Sequence, residues 1–281
     1  MLFSHIADTH LGLVQYGSNE REQDVYDVFN QSIDISIKDN VDFVIFAGDI
    51  FHMPNPNGRA IIQMANALKR LKENNIDSFF ILGEHDISRI KTTPVPYVYH
   101  NLGFSKYIGN GNPIEYKGIM IAGLDKIRKT EMSQYEEIFL NLDKSVEKFE
   151  GHKILVLHQG ITEFNKFAGE LQSTDLPKNF TYYAMGHLHD KDIKEFNHLK
   201  GPIVYPGSIE LTTSEGIKDV KKGFFEVDIS GKEAIPKWIE LDIRPQFSFN
   251  TKYTELEKTI GEIIEKISDL AKKPMILVKI E

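Results

Sequence analysis

The 281-residue chain contains no cysteine. Disulfides and thiolate-held metals are therefore excluded, and any metal must be held by His, Asp, Glu or Asn, a donor set that favours Mn, Fe, Zn or Mg. Long apolar runs are also missing: none approaches the ~18 residues that a membrane-spanning helix needs. The strand-like start Met1-Leu-Phe-Ser-His-Ile-Ala7 lacks the basic stretch and small-residue cleavage site of a secretory signal. We read the chain as cytoplasmic, without membrane association. Positive charge is in deficit, with 33 Lys and Arg against 41 Asp and Glu and a net charge of −8. That balance argues against a broad nucleic-acid surface, because sequence-independent DNA affinity comes from Lys and Arg at phosphates; bound divalent ions would reverse the sign locally. There is no internal repeat and no low-complexity segment. The remaining composition, 41% hydrophobic and 26% charged, is that of a soluble globular protein with one large or two unequal domains.

The stretch Val41-Asp-Phe-Val-Ile-Phe-Ala-Gly-Asp-Ile-Phe-His52 organises the rest. It is an apolar, β-branched and aromatic run ending abruptly in Gly48-Asp49, the pattern of a buried central strand with a carboxylate at its C-terminal tip. Open α/β sheets place their chemistry in that crevice. Leu2 to Ala7 reads as a first strand, followed by Asp8-Thr-His-Leu-Gly12. In extended backbone, residues two apart point the same way, so Asp8 and His10 are expected to face one ion together.

Val25, Val28, Phe29, Ser32, Ile33 and Ile37 recur at helical spacing, as do Ile61, Ala65, Leu68 and Leu71. Ser78 to Leu82 forms a third strand ending in Gly83-Glu84-His85-Asp86. Strands alternating with helices imply right-handed parallel crossovers and an α/β fold. Farther on, Ile119–Ala122 is strand-like, residues 133–148 are helical, and Lys153–Leu157 is a strand ending in His158. Thr181–Met185 runs into Gly186-His-Leu-His-Asp190, where Gly186 removes a side chain that would block close approach. Beyond residue 191, short β segments at Ile203–Tyr205, Phe224–Ile229 and Lys237–Asp242 are expected to complete a second sheet as hairpins. Arg244-Pro245 is a boundary candidate. An amphipathic helix from Leu256 to Leu270 and a strand at Met275–Val278 follow, a small α/β unit that looks incomplete as given.

Asp8, His10, Asp49, Glu84, His85, His158, His187 and His189 each fall at a predicted strand end. Two-metal hydrolysis of phosphate esters needs this mixture of carboxylates and imidazoles around two ions ~3.5–4 Å apart, with an open face for water and phosphate. The order Asp-x-His, Gly-Asp, Gly-x-His-Asp, His, Gly-His-x-His resembles the calcineurin-like metallophosphoesterases. Within that superfamily, Asp8-Thr-His-Leu-Gly12 and Gly48-Asp-Ile-Phe-His52 resemble the DNA double-strand-break repair nucleases of the meiotic recombination eleven (SbcD) family. Serine/threonine phosphatases carry Asp-Arg-Gly shortly after their Gly-Asp, where this chain reads Phe51-His52-Met53. Tyr205-Pro-Gly-Ser-Ile-Glu210, Lys222-Gly-Phe224 and Arg244-Pro245 are further similar features.

The resemblance implies a four-layer α/β/β/α metallophosphoesterase sandwich over residues 1–245 and, over 246–281, the start of a small α/β DNA-capping domain. It implies a manganese-dependent exonuclease and endonuclease acting on double-strand ends, hairpins or single strands. One metal would be held by Asp8, His10, Asp49 and His189, and the second by Asp49, Glu84, His158 and His187, with Asp49 bridging. His85 would stabilise or protonate the leaving oxygen, Asp86 would orient its ring, and His52 would lie near the phosphate. The family's partners are a coiled-coil ABC ATPase of the SbcC/Rad-fifty type, whose binding segment is missing from this sequence, and a second copy of the chain. Position 84 departs from the pattern, being Glu where the family has Asn, which implies firmer metal binding and slower hydrolysis.

Two other functions are weighed. A metallophosphoesterase acting on a small phosphodiester or cyclic nucleotide would use the same site and suits the acidic charge. A non-enzymatic scaffold is disfavoured by a ligand-capable side chain at every metal position. Lys126, Arg128, Lys129, Arg89 and Lys91 are equally readable as phosphate contacts or as solvated loop charges. His5 is read as a packed histidine.

Overall fold

The structure is a computed structural model that describes residues 1–90, 92–127, 131 and 135–281. Two six-stranded sheets face each other. The first runs in the order β12 (Ile235–Leu241), β11 (Lys222–Asp228), β1 (Leu2–Ile6), β2 (Phe43–Ala47), β3 (Asp77–Ile81), β4 (Lys106–Tyr107). The second runs β5 (Ile114–Tyr116), β6 (Ile119–Leu124), β7 (Lys153–His158), β8 (Tyr182–Gly186), β10 (Ile203–Tyr205), β9 (Asp192–Lys194).

The apolar runs of the central strands are explained by burial on both faces. Side chains alternate along a strand, so Phe43, Ile45 and Ala47 of β2 enter the core between the sheets, while Val44 and Phe46 enter a second core. That second core is covered by α1 (Asn19–Lys38) and α2 (Gly58–Glu73) through Val25, Phe29, Ile33, Leu68 and Leu71. A third core on the far side of the second sheet takes Phe139, Leu142 and Val146 from α4 (Tyr135–Val146). These three cores make four layers, α/β/β/α, and bear out the expected fold. Parallel pairing of β1 with β2 and β2 with β3 fits the helical crossovers between them.

One expectation fails. The strand pair β11–β12 does not extend the second sheet; β11 pairs antiparallel with β1, Phe3 opposite Val227. Phe225 and Val227 thereby fill the inter-sheet core on the β1 side. Such a pairing spans more than two hundred residues of sequence, and the local periodicity that identifies a strand carries no information about its partner.

The last segment forms a sheet of its own, β13 (Gln246–Thr251) parallel to β14 (Met275–Ile280), joined by α5 (Leu256–Ile267). At the junction Arg244 makes a two-pronged ion pair with Asp24 of α1, at 2.5 and 2.9 Å, and donates to the Lys273 carbonyl at 2.7 Å.

Candidate metal centre

The C-terminal ends of β1, β2, β3, β7 and β8 converge at one edge of the facing sheets. There the sequence-predicted residues come together: Asp8, His10 and His189 form one group whose ligand atoms lie within 4.8 Å of one another, and Glu84, His158 and His187 form another. Asp49 stands between them, its Oδ2 3.9 Å from His10 Nε2 and 3.4 Å from His158 Nε2.

The backbone reaches this arrangement by a route the sequence pattern did not suggest. Asp8 and His10 are not adjacent teeth of an extended strand. β1 ends at Ile6, and both residues have positive φ, 51° and 44°. Asp49 (φ 50°) and His187 (φ 93°) share this left-handed conformation. For non-glycine residues it costs of order 1–3 kcal/mol each and persists at sites that need the geometry. Two glycines make the approach possible. A Cβ on Gly48 would fall 2.4 Å from His158 Nδ1, and one on Gly186 would fall 2.7 Å from the same atom and 2.1 Å from the Ala47 carbonyl.

The donor atoms suit a divalent cation. His158 Nδ1 donates to the Ala47 carbonyl at 2.7 Å, which orients the ring and turns Nε2 into the site, where it would offer a lone pair to a cation that displaced its proton. His10 Nε2 and His189 Nε2 face each other at 3.1 Å, a contact that is unfavourable unless a proton or a cation lies between the two nitrogens. His158 Nε2, His187 Nδ1 and Glu84 Oε2 are buried without a properly aligned hydrogen bond. Glu84 Oε1 nonetheless lies 2.8 Å from His187 Nδ1, and its Oε2 lies 3.0 Å from His158 Nε2.

The electrostatics call for positive charge. Burial pushes the Asp8 carboxyl up to about 6, against the pull of His158 and His189. Burial also pushes Asp49 up, but His158, by charge and hydrogen bond, and then His10 outweigh it and hold the carboxyl at about 2. Burial likewise opposes the charge on Glu84, yet the His158 and His187 imidazoles at 3.0 and 2.8 Å carry it below the usual carboxylate range. His158 is raised well above its ordinary value because Asp49 and Glu84 outweigh its burial. His10, by contrast, is held by burial at about 3, a neutral imidazole with one nitrogen lone pair to offer.

His52 and His85 stack above the site with ring centroids 5.3 Å apart, and His10 lies edge-on to His85 at 4.9 Å. His85 Nδ1 bonds the His52 carbonyl at 2.8 Å, leaving Nε2 free, and the His85 amide donates to Asp49 Oδ1 at 2.8 Å. Asp86 does not orient the His85 ring as its adjacency suggested. Its buried carboxylate accepts instead from the amides of Ile50, Phe51 and Gly83 at 2.9–3.2 Å, tying the loop after β2 to the loop after β3. With both oxygens taken up by backbone amides, and His85 Nδ1 bonded to the His52 carbonyl instead, it acts on the loops rather than on the imidazole.

A cleft of ≈ 860 Å³ opens beside this edge, lined by His52, Glu84, His85, Arg89, Lys126 and Glu170 among others. Lys126 does not sit as a free phosphate contact. Its Nζ donates to Glu170 at 2.6 Å and lies 3.8 Å from Glu84 Oε2 and 3.5 Å from His187 Nε2. Lys91, Arg128 and Lys129 lie outside the described residues. His5 is buried as expected, bonded to the Tyr182 hydroxyl and the Met185 carbonyl.

Residues 1–191 match the model of the calcineurin-like phosphoesterase family. Over essentially the whole chain the sequence is also 33% identical to the DNA double-strand break repair protein Mre11 of Sulfolobus acidocaldarius, spanning 100% of this chain and 75% of that protein. The chain belongs to the Mre11 family of calcineurin-like phosphoesterases. The Mre11 proteins of Methanocaldococcus jannaschii (33% identical, 100% of this chain and 77% of that one) and Thermoplasma acidophilum (33%, 97% and 74%) match equally broadly. Among solved structures, a dimetal phosphatase from Danio rerio shares the fold, with a TM-score of 0.56 at 10% identity over 85% of this chain and 95% of that one. As an Mre11-family phosphoesterase the chain is a hydrolase, and the His and Asp groups above are its candidate divalent-metal site.

Three residues around the site were not singled out as belonging to it, although Lys222 stands in the motif-like Lys222-Gly-Phe224. Glu170 lies in a loop of mixed composition, Glu215 in a single 3-10 turn, and Lys222 opens a strand. Only the fold brings them to the cleft and to His189.

Proposed function

We propose that this chain is the manganese-dependent nuclease of a DNA double-strand-break repair complex, hydrolysing phosphodiesters at DNA ends. The observation that carries the reading is the pair of ligand groups joined at Asp49 beneath the His52–His85 stack, in a chain of this family. Asp8, His10, Asp49 and His189 would hold one Mn²⁺, and Asp49, Glu84, His158 and His187 the other. When bound, the ions activate water and neutralise charge developing on the phosphoryl oxygens.

The chain's own residues do the rest. Asp49 holds the His85 backbone through Oδ1 while its Oδ2 serves the metal side. The bond from His85 Nδ1 to the His52 carbonyl turns Nε2 toward the leaving oxygen, to which the ring would give a proton when both of its nitrogens are protonated. Asp86 keeps the two loops in register, so His85 and Asp49 stay at a fixed separation.

The unit at 246–281 is read as belonging to a DNA-capping domain beside a nuclease domain at 1–245. Exposed Ile62, Val98 and Leu102 on and beside α2 and α3 (Tyr97–Asn101) support a homodimer. The further partner is a coiled-coil ABC ATPase, and the compartment is the cytoplasm. No helix among the described residues is long and apolar enough to cross a membrane. The test is degradation of end-labelled duplex DNA with Mn²⁺, set against turnover of a small chromogenic diester. DNA degradation supports the nuclease reading; turnover of the diester alone favours a small-substrate phosphoesterase.

A further inference from the structure

Lys222-Gly-Phe224 and Tyr205-Pro-Gly-Ser208 stand out in the sequence, yet neither supplies a group to the site. Lys222 is 3% exposed, and its Nζ donates to Glu215 Oε1 at 2.6 Å, Ser208 Oγ at 2.9 Å and the His189 carbonyl at 2.8 Å. The Glu215 side chain is 7% exposed. Its Oε2 takes the Thr212 amide at 3.0 Å and the Thr212 hydroxyl at 3.2 Å. A buried ion pair costs desolvation that attraction between the charges seldom repays, so its presence asks for another role.

We propose that Glu215 and Lys222 are positioning residues that fix the ring and backbone of His189, so that only its Nε2 is presented to the site. His189 Nδ1 lies 3.2 Å from Thr212 Oγ1 and 3.4 Å from Glu215 Oε2. The carboxylate is an acceptor only, so an Nδ1 lone pair would face it uncompensated at 3.4 Å, whereas the Thr212 hydroxyl can place its own proton on Glu215 Oε2 or Ser214 Oγ, at 3.2 and 3.0 Å, and accept from Nδ1. These neighbours favour the proton on Nδ1, which leaves the lone pair on Nε2, 3.1 Å from His10 Nε2. Lys222 anchors the same residue from the other side by holding its carbonyl, while its bond to Oε1 holds the Glu215 carboxylate in place. A carboxylate behind a ligating imidazole both orients the ring and strengthens it as a donor. The two sequence features are thus explained as the support of one ligand. Use of this support for metal binding rests on the proposed function.

The experiment has two readings. In metal-free protein labelled with ¹⁵N-histidine, at a pH where the ring is neutral, His189 is expected as the Nδ1–H tautomer, with that preference lost in Glu215→Gln. By calorimetry, Glu215→Gln and Lys222→Met are expected to weaken Mn²⁺ binding by about 10–100-fold. An Nε2–H tautomer in the parent, or Mn²⁺ affinity within twofold of the parent in both variants, overturns the proposal. If neither variant folds, the tautomer in the parent decides. Should the parent bind no Mn²⁺, the metal reading fails, while the tautomer still judges the positioning.

Discussion

Glu84 Oε1 lies 2.8 Å from His187 Nδ1, so the carboxylate reaches across the second ligand group and shares its space with the imidazole. Asp8, Asp49 and Glu84 bring three negative charges against the four positive charges of two divalent ions, where an Asn at 84 would leave two. A less positive centre holds metal firmly and polarises phosphate weakly. Glu84→Asn should therefore bind Mn²⁺ less tightly, by roughly tenfold or ~1.4 kcal/mol, and cleave DNA faster than the parent. A variant no faster than the parent would sink this account of position 84.

Lys126 is the lysine set against Glu84, and it is also tied to Glu170. Its charge both opposes an incoming metal and offers an attraction to substrate phosphate at the cleft wall. In Lys126→Gln, Mn²⁺ affinity should rise while KM for DNA rises about tenfold, the scale of one charge-assisted hydrogen bond. Unchanged KM with tighter metal binding would reduce Lys126 to a charge balance for the two glutamates.

Asp86 supplies a prediction because its role differs from the one its place in Gly-x-His-Asp suggested. Asp86→Ala would strand three buried amides, those of Ile50, Phe51 and Gly83. Unsatisfied buried donors cost about 1–3 kcal/mol each, so urea unfolding should show a loss of roughly 3 kcal/mol or more. A fully stable variant with only a shifted pH–rate profile would restore the ring-orienting role.

His5 sets a pH dependence of stability. Complete burial holds its pKa down at about 3, from 6.5 when unfolded. Between those values the unfolded chain binds a proton that the folded chain refuses. The contribution is therefore full above pH 6.5 and is lost as pH falls toward 3. Over the span from pH 6.5 to 5 the parent should lose about 2 kcal/mol more than His5→Phe. Parallel stability curves for the two proteins would contradict the assignment.

Much of this was readable from residue order because the central strands are buried on both faces. Continuous apolar runs such as Phe43–Ala47 announce themselves, each ends in a ligand-type residue, and at Gly48-Asp49, Gly83-Glu84 and Gly186-His187 a glycine precedes it. What stayed hidden was long-range or local in a different sense. The pairing of β11 with β1, and the support of His189 by Lys222, depend on partners that no periodicity encodes. Asp8, His10, Asp49 and His187 reach the site with positive φ rather than extended backbone, so strand geometry extrapolated from residue order finds the right residues by the wrong route.

The central claim is that these ligands hold metal for the hydrolysis of DNA, with His85 serving the leaving oxygen. It is tested most directly by following an end-labelled duplex oligonucleotide with Mn²⁺, with chelator, and with His85→Ala. Mn²⁺-dependent degradation that is abolished by chelator and reduced at least a hundredfold in the variant, with two Mn²⁺ still bound, is the predicted result. Intact DNA in the parent with both ions bound, or undiminished cleavage by His85→Ala, would contradict it.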